Sequence, residues 1–203
     1  MGAGEVETLV EPVDIFDKDG FRREVEQFKS LEGQAEVIAN RVRRTITEHL
    51  DEDPVFYERF SKLIDDTLQE YAAHRIEQLE LLKRMEDIRD RVRDRRAYEE
   101  VPESLRARDA ARPYYDIIQD QLSTAHVAAE PEVAAYTAVV IDDIIRAKRK
   151  VDWTTDTDVQ NQMKIAIEDE LFRIKDAHDL KLEFDTIDRI LDRCIEVAKR
   201  RMP

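Results

Sequence analysis

Pro131-Glu132-Val133-Ala134-Ala135-Tyr136-Thr137-Ala138-Val139-Val140-Ile141-Asp142-Asp143-Ile144-Ile145-Arg146-Ala147-Lys148-Arg149-Lys150 is the segment on which the architecture turns. Pro131 suits a first helical turn, because its missing N–H would have no partner there in any case. After it, Val133, Ala134, Tyr136, Val139, Val140, Ile141, Ile144 and Ile145 are apolar nearly all round the helix, the pattern of a segment buried on several sides. This helix is therefore placed at the centre of the core. Downstream, Asp152-Trp153-Thr154-Thr155 breaks the pattern, and Asp156 or Thr157 can cap a helix carrying Val159, Met163, Ile165, Ala166, Ile167, Leu171, Phe172 and Ile174. A last helix from about Phe184 to Arg200 carries Ile187, Ile190, Leu191, Cys194 and Ile195. Its Lys199-Arg200-Arg201 ending complements the negative end of the helix dipole. Residues 131–203 thus read as a three-helix core.

Working toward the N-terminus, the signals are mixed. Residues 1–20 read as an extended lead-in, with Pro12 interrupting an apolar stretch and Asp19-Gly20 giving a turn signal. Residues 21–50 read as helix on the stripe Ala35, Ile38, Val42, Ile46 and Leu50, with Gly33 splitting it into a short and a longer piece. Asp53-Pro54 is a helix start, the carboxylate accepting free backbone N–H groups and the proline filling the first turn. From Phe56 through Phe60, Ile64, Leu68, Tyr71, Ile76, Leu79, Leu82, Met85 and Ile88 to Val92, the apolar residues predict one helix over 54–98, about 40 residues and roughly 60 Å at 1.5 Å per residue. A rod of that length outruns a small core, and its charged end beyond Met85 reads as a surface awaiting a partner. Val101-Pro102 ends it, and a less regular region containing Pro113, Tyr114 and Tyr115 follows. The fold class is all-α, an irregular bundle with one long helix, and 21–203 reads as a single helical domain.

Composition agrees. Only four Gly and six Pro in 203 residues leave few of the turns that all-β folds require, and 39% charged residues exceeds the roughly 25% usual for globular chains. Forty-seven acidic against 33 basic residues give a net charge of −14, which repels a polyanion unless the cations gather on one face. The single cysteine, Cys194, excludes an internal disulfide and sits on an apolar stripe as a packing residue. Without a signal-peptide pattern or a long apolar run, the chain is expected to be cytoplasmic, away from membranes.

The search for chemistry yields little. None of the four glycines precedes a lysine in a phosphate-binding run, so no ATP site is expected. Asp179-Leu180-Lys181 is the nearest match to a nuclease triplet but falls in a helix–helix connection. His49, His74, His126 and His178 lack second ligands at helical spacing, so neither a metal nor any other cofactor is expected. The pairs Asp65-Asp66 and Asp142-Asp143 lack the Glu-x-x-His companion of di-iron bundles and read as solvated faces. Two basic clusters could touch a partner or phosphate: Arg89, Arg93 and Arg96 in the first, and Arg146, Lys148, Arg149 and Lys150 in the second. Asp90 and Asp94 interleave the first, which reads as a salt-bridged exposed helix; the second sits at a helix end, where the dipole alone favours cations. Asp152 and Trp153 form a structural motif, Asp152 capping the next segment and the indole filling the core between the last three helices.

The order of Val13-Asp14-Ile15-Phe16-Asp17, Glu52-Asp53-Pro54-Val55-Phe56-Tyr57, Ile76-Glu77-Gln78-Leu79-Glu80-Leu81-Leu82 and Val151-Asp152-Trp153 with two helices after it resembles the helical C-terminal domain of the restriction (motor) subunit of Type I restriction-modification enzymes. The Asp-Trp element is its most specific part. In that family a nuclease and a two-lobed ATP-driven DNA translocase precede this region, so the parent protein is an ATP-dependent deoxyribonuclease. The resemblance implies a non-catalytic assembly domain that docks the motor onto the methyltransferase core, chiefly its modification subunit, with DNA touched only indirectly. Lys175-Asp176-Ala177-His178-Asp179-Leu180 departs from the Tyr-Pro type of turn associated with many members. The alternatives are an accessory duplex-contacting module built on the two basic clusters and a free-standing helical scaffold.

Overall fold

A computed structural model describes residues 13–96 and 102–202, and every regular element among them is helical. In order these are α1 (Lys18–Glu26), α2 (Leu31–His49), α3 (Pro54–Ala72), α4 (Gln78–Arg93), single 3-10 turns at Glu103–Leu105 and Asp109–Ala111, α5 (Arg112–Thr124), α6 (Pro131–Lys148), α7 (Thr157–Ala177) and α8 (Phe184–Arg201). The all-α class holds. Chain contacts gather into two compact units: the described residues up to Glu48 with Phe60–Arg95, and His49–Arg59 with the described residues from Arg96 onward.

In the first unit the main correction to the sequence reading is the long helix. The 54–98 rod is two helices, because the chain turns at His74, whose φ of 54° lies in the left-handed region. The Arg75 N–H donates to the Glu70 carbonyl at 2.9 Å and the His74 N–H to the Tyr71 carbonyl at 2.9 Å, the paired bonds of a Schellman cap. Residues 97–98 of the expected helix lie outside the described residues. With the rod broken, Leu81, Met85, Ile88 and Val92 of α4 are at most 2% exposed, and Ala35, Ile38, Val42, Phe60 and Ile64 are buried with them. Ion pairs join the layers: Arg41 of α2 to Glu24 of α1, Arg43 of α2 to Asp65 of α3 at 2.6 Å, and Arg84 of α4 to Glu70 of α3 at 2.7 Å. The α4 part of the stripe is therefore covered from Leu81 onward, while Leu79 stays 53% exposed.

Two smaller expectations also move. Helix α1 begins at Lys18, so Asp19-Gly20 lies inside its first turn; Asp17 caps it by accepting the Gly20 N–H at 3.0 Å. The break before α2 falls at 27–30 rather than at Gly33, since the Ser30 hydroxyl accepts the Gly33 N–H at 3.0 Å. Of the expected lead-in, residues 1–12 lie outside the described residues.

The second unit is built on α6, as its all-round apolar pattern requires. Ala134, Ala135, Ala138, Ile141 and Ile145 are at most 1% exposed, with Met163 and Ile167 of α7 and Ile187, Ile190 and Cys194 of α8 packed into the same core. Beyond the three helices read from the sequence, α5 joins them with Tyr114, Ile117, Ile118 and Leu122. Asp53 accepts the Phe56 N–H at 3.2 Å and Pro54 opens α3. Directions follow from side-chain pairs. Arg173 of α7 reaches the Tyr136 hydroxyl of α6, and Lys164 of α7 meets Asp192 of α8 at 2.6 Å, so α7 runs antiparallel to both neighbours.

Candidate functional site

Because α6 and α8 point the same way and α7 returns between them, the second unit has two chemically different ends. One collects the end of α6, the start of α7 and the end of α8. Trp153 ties it together: its side chain is 2% exposed within the core, and its indole N–H donates to the Met202 carbonyl at 2.8 Å. Gln160 braces the turn by donating to the carbonyls of Trp153 at 3.2 Å and Thr154 at 2.8 Å. Asp152 is not a side-chain cap. It holds a left-handed turn at φ 58°, and Asp156 is the cap, accepting the N–H groups of Asp158 and Val159 at 2.9 and 3.1 Å.

The second basic cluster lies at this end, and its members do different things. Arg146 is paired with Asp142 at 2.8 Å. The side chains of Lys148, Arg149 and Lys150 make no ion pair among the described residues. They do not form an isolated cationic surface, because Asp152, Asp156 and Asp158 follow within the same turn and helix start.

Asp142 corrects the solvated-face reading of Asp142-Asp143. Its side chain is 1% exposed, held between Arg146 and, at 3.6 Å, Arg108, which also binds Asp143. Its Oδ1 and the nearby buried Tyr114 hydroxyl have no hydrogen-bond partner among the described residues. Burial, with the Asp142 charge as a lesser cause, pushes the Tyr114 phenol well above its usual range. Burial likewise raises the Cys194 thiol, which keeps it protonated and unreactive. Asp65, of the other acidic pair, is half exposed and paired with Arg43.

The first basic cluster is salt-bridged. Arg89 and Arg93 both hold Asp90 at 2.9 Å, Arg93 also holds Asp94 at 2.9 Å, and the Arg89 guanidinium lies 5.6 Å above the Phe21 ring. With Lys18, Arg22, Glu26 and Glu86 they line an open cleft of about 390 Å³ in the first unit. Arg96 lies past the end of α4 and is exposed. No group of His, Cys, Asp and Glu that could hold a metal occurs among the described residues. Asp179 and Lys181 pair with each other at 2.8 Å in the α7–α8 connection, and the Lys181 hydrogen bond holds the Asp179 carboxyl below its usual range.

At the opposite end the start of α6, the end of α7 and the start of α8 present aromatic rings that the sequence reading counts only as apolar helix residues, with Tyr136 expected to be buried. Phe184 is 66% exposed and Tyr136 48%. Phe172 and Phe184 meet edge to face at 5.7 Å, with the Lys175 ammonium 5.9 and 5.8 Å from the two ring centres and donating to the Leu182 carbonyl at 2.6 Å. The α8 periodicity alone does not mark Phe184 as exposed, because it keeps three- and seven-residue spacing with the buried Ile187 and Leu191.

These features define an all-α chain of two helical units, and no described helix is long and apolar enough to cross a membrane. The sequence model for the family described as Type I restriction enzyme HindI endonuclease subunit-like, C-terminal, matches residues 7–200, and the chain belongs to that family. No curated protein and no solved structure gives a significant match.

Proposed function

We propose that this chain is a non-catalytic, cytoplasmic assembly domain that docks the motor and nuclease part of a Type I restriction enzyme onto the methyltransferase core, chiefly its modification subunit. The observation that carries the reading is the family match over 7–200, which puts these helices in the C-terminal part of an endonuclease subunit. A helix too long for its own core no longer supports it, since the expected rod is two shorter helices and Leu81, Met85, Ile88 and Val92 of the second are buried. Exposed aromatic side chains on the second unit take that supporting role, because large exposed apolar groups mark contact surfaces. The test is direct. The purified chain should co-elute in fixed stoichiometry with the cognate complex of modification and specificity subunits on size-exclusion chromatography. Separate elution at micromolar concentration would reject the docking role.

Duplex-DNA contact by the end of α6 is a second reading, favoured by Lys148, Arg149 and Lys150, which have no ion pairs among the described residues. It requires a salt-dependent mobility shift of plain duplex that is lost in a Lys148→Ala, Arg149→Ala, Lys150→Ala variant.

A further inference from the structure

We infer that the aromatic end of the second unit is the docking face, and that its occupant is a protein surface with an apolar pocket ringed by lysine and arginine. This rests on the docking reading above and gives it an address and a partner chemistry. The anchors are Phe184 and Tyr136, with Phe172 packed edge to face against Phe184. Rigid aromatics that are already held by neighbours lose little freedom on binding, which is why such side chains dominate interface energetics.

The charge around these anchors selects the partner. Between residues 165 and 188 the chain has eight acidic and three basic side chains. All three cations are occupied: Arg173 by Glu170 and the Tyr136 hydroxyl, Lys175 by the Leu182 carbonyl and the two phenyl rings, and Lys181 by Asp179. Glu168, Asp169, Asp176, Glu183, Asp185 and Asp188 have no such partner among the described residues. Their spacing places them around the rings. Glu168 and Asp176 lie four residues either side of Phe172, and Asp188 lies four beyond Phe184, so each shares a helical face with a ring. The result is an apolar centre with an unneutralised acidic rim, the arrangement of a protein–protein interface seen from one side. A phosphate backbone would be repelled by it. A second copy would set the same rim against itself across a two-fold axis, an unfavourable like-charge pairing.

The experiment measures binding of the full chain to the cognate modification–specificity complex by surface plasmon resonance at two salt concentrations. Phe184 is largely exposed, so Phe184→Ala should keep the wild-type melting temperature while weakening binding about tenfold or more through faster dissociation. Asp169→Lys with Asp188→Lys should slow association and flatten its salt dependence. If the wild type binds and both variants bind equally well, the face is wrong while the docking role stands. If the wild type does not bind, the role itself fails and takes this face with it. A wild-type dimer in solution that Phe184→Ala dissolves would assign the patch to a second copy and overturn the proposal. So would duplex binding that Phe184→Ala abolishes.

Discussion

Trp153 shows how much rests on a single residue in this molecule. Its ring fills the core of the second unit, and its N–H satisfies the Met202 carbonyl just past the last helix. Loss of a buried large aromatic typically costs about 3–5 kcal/mol, so Trp153→Ala should lower the urea midpoint markedly. Trp153→Phe keeps much of the packing but leaves the carbonyl without its donor, and should lose about 1–2 kcal/mol. A midpoint for Trp153→Ala close to wild type would show that the side chain is not part of this core. Asp142 gives the contrasting lesson. Beside Asp143 it reads as half of a solvated acidic pair, yet one carboxylate is buried and the other exposed, because adjacent residues on a helix point about 100° apart.

Helix ends account for most of the differences between the expected and the observed elements. Helices α3, α5 and α7 each stop at a residue with positive φ, namely His74, His126 and Asp179, and each has the long-range carbonyl bond of a Schellman cap, from the N–H of Arg75, Val127 and Leu180. Glycine usually occupies such positions, and an L side chain there is held at a cost of roughly 1–2 kcal/mol. The exposed His126 side chain makes no hydrogen bond, ion pair or ring contact among the described residues, so His126→Gly should stabilise the protein by up to about 1 kcal/mol and raise its melting temperature by roughly 2–4 °C. A lower melting temperature would mean that the ring does something else.

Another element-scale test concerns the turn at Glu103–Leu105, which is pinned to α6 by Glu132. That carboxylate accepts the Ser104 hydroxyl at 2.8 Å and the Glu103 N–H at 2.6 Å, and these bonds hold its pKa below the ordinary 4.5. A depressed carboxylate pKa stabilises the fold fully above the ordinary value, and the benefit is lost as pH falls through the lowered one. Thermal melts should therefore separate wild type from Glu132→Gln at pH 6 and bring them together toward pH 3. A gap that persists unchanged at pH 3 would rule out the carboxylate as its source.

Across the molecule as a whole, the net charge of −14 is less informative than its arrangement. In the second unit the cations at the end of α6 are mixed with Asp152, Asp156 and Asp158, while the exposed rings at the other end stand among acids that have no partner among the described residues. Overall acidity argues against nucleic acid. The packing of α7 against α8 brings Phe172 and Phe184 together, and the acids that share helical faces with them turn an argument against one partner into an argument for another.

The helical class, the place of α6 at the centre of a core, the capping of α3 by Asp53 and α7 by Asp156, and the family are all legible in the amino-acid order. Each depends on interactions within a few residues, or on a periodicity that one segment displays alone. The order also contains a clue to the broken rod: Tyr71 and Ile76 are five residues apart, the one step in the stripe that a continuous helical face cannot take. No glycine or proline marks that break, since a histidine takes the left-handed position. Long-range packing settled the rest: which carboxylate is buried, that Trp153 closes on Met202, and that Tyr136, Phe172 and Phe184 gather at one end. Those outcomes join residues tens of positions apart, and no local pattern specifies a meeting that depends on how three helices pack.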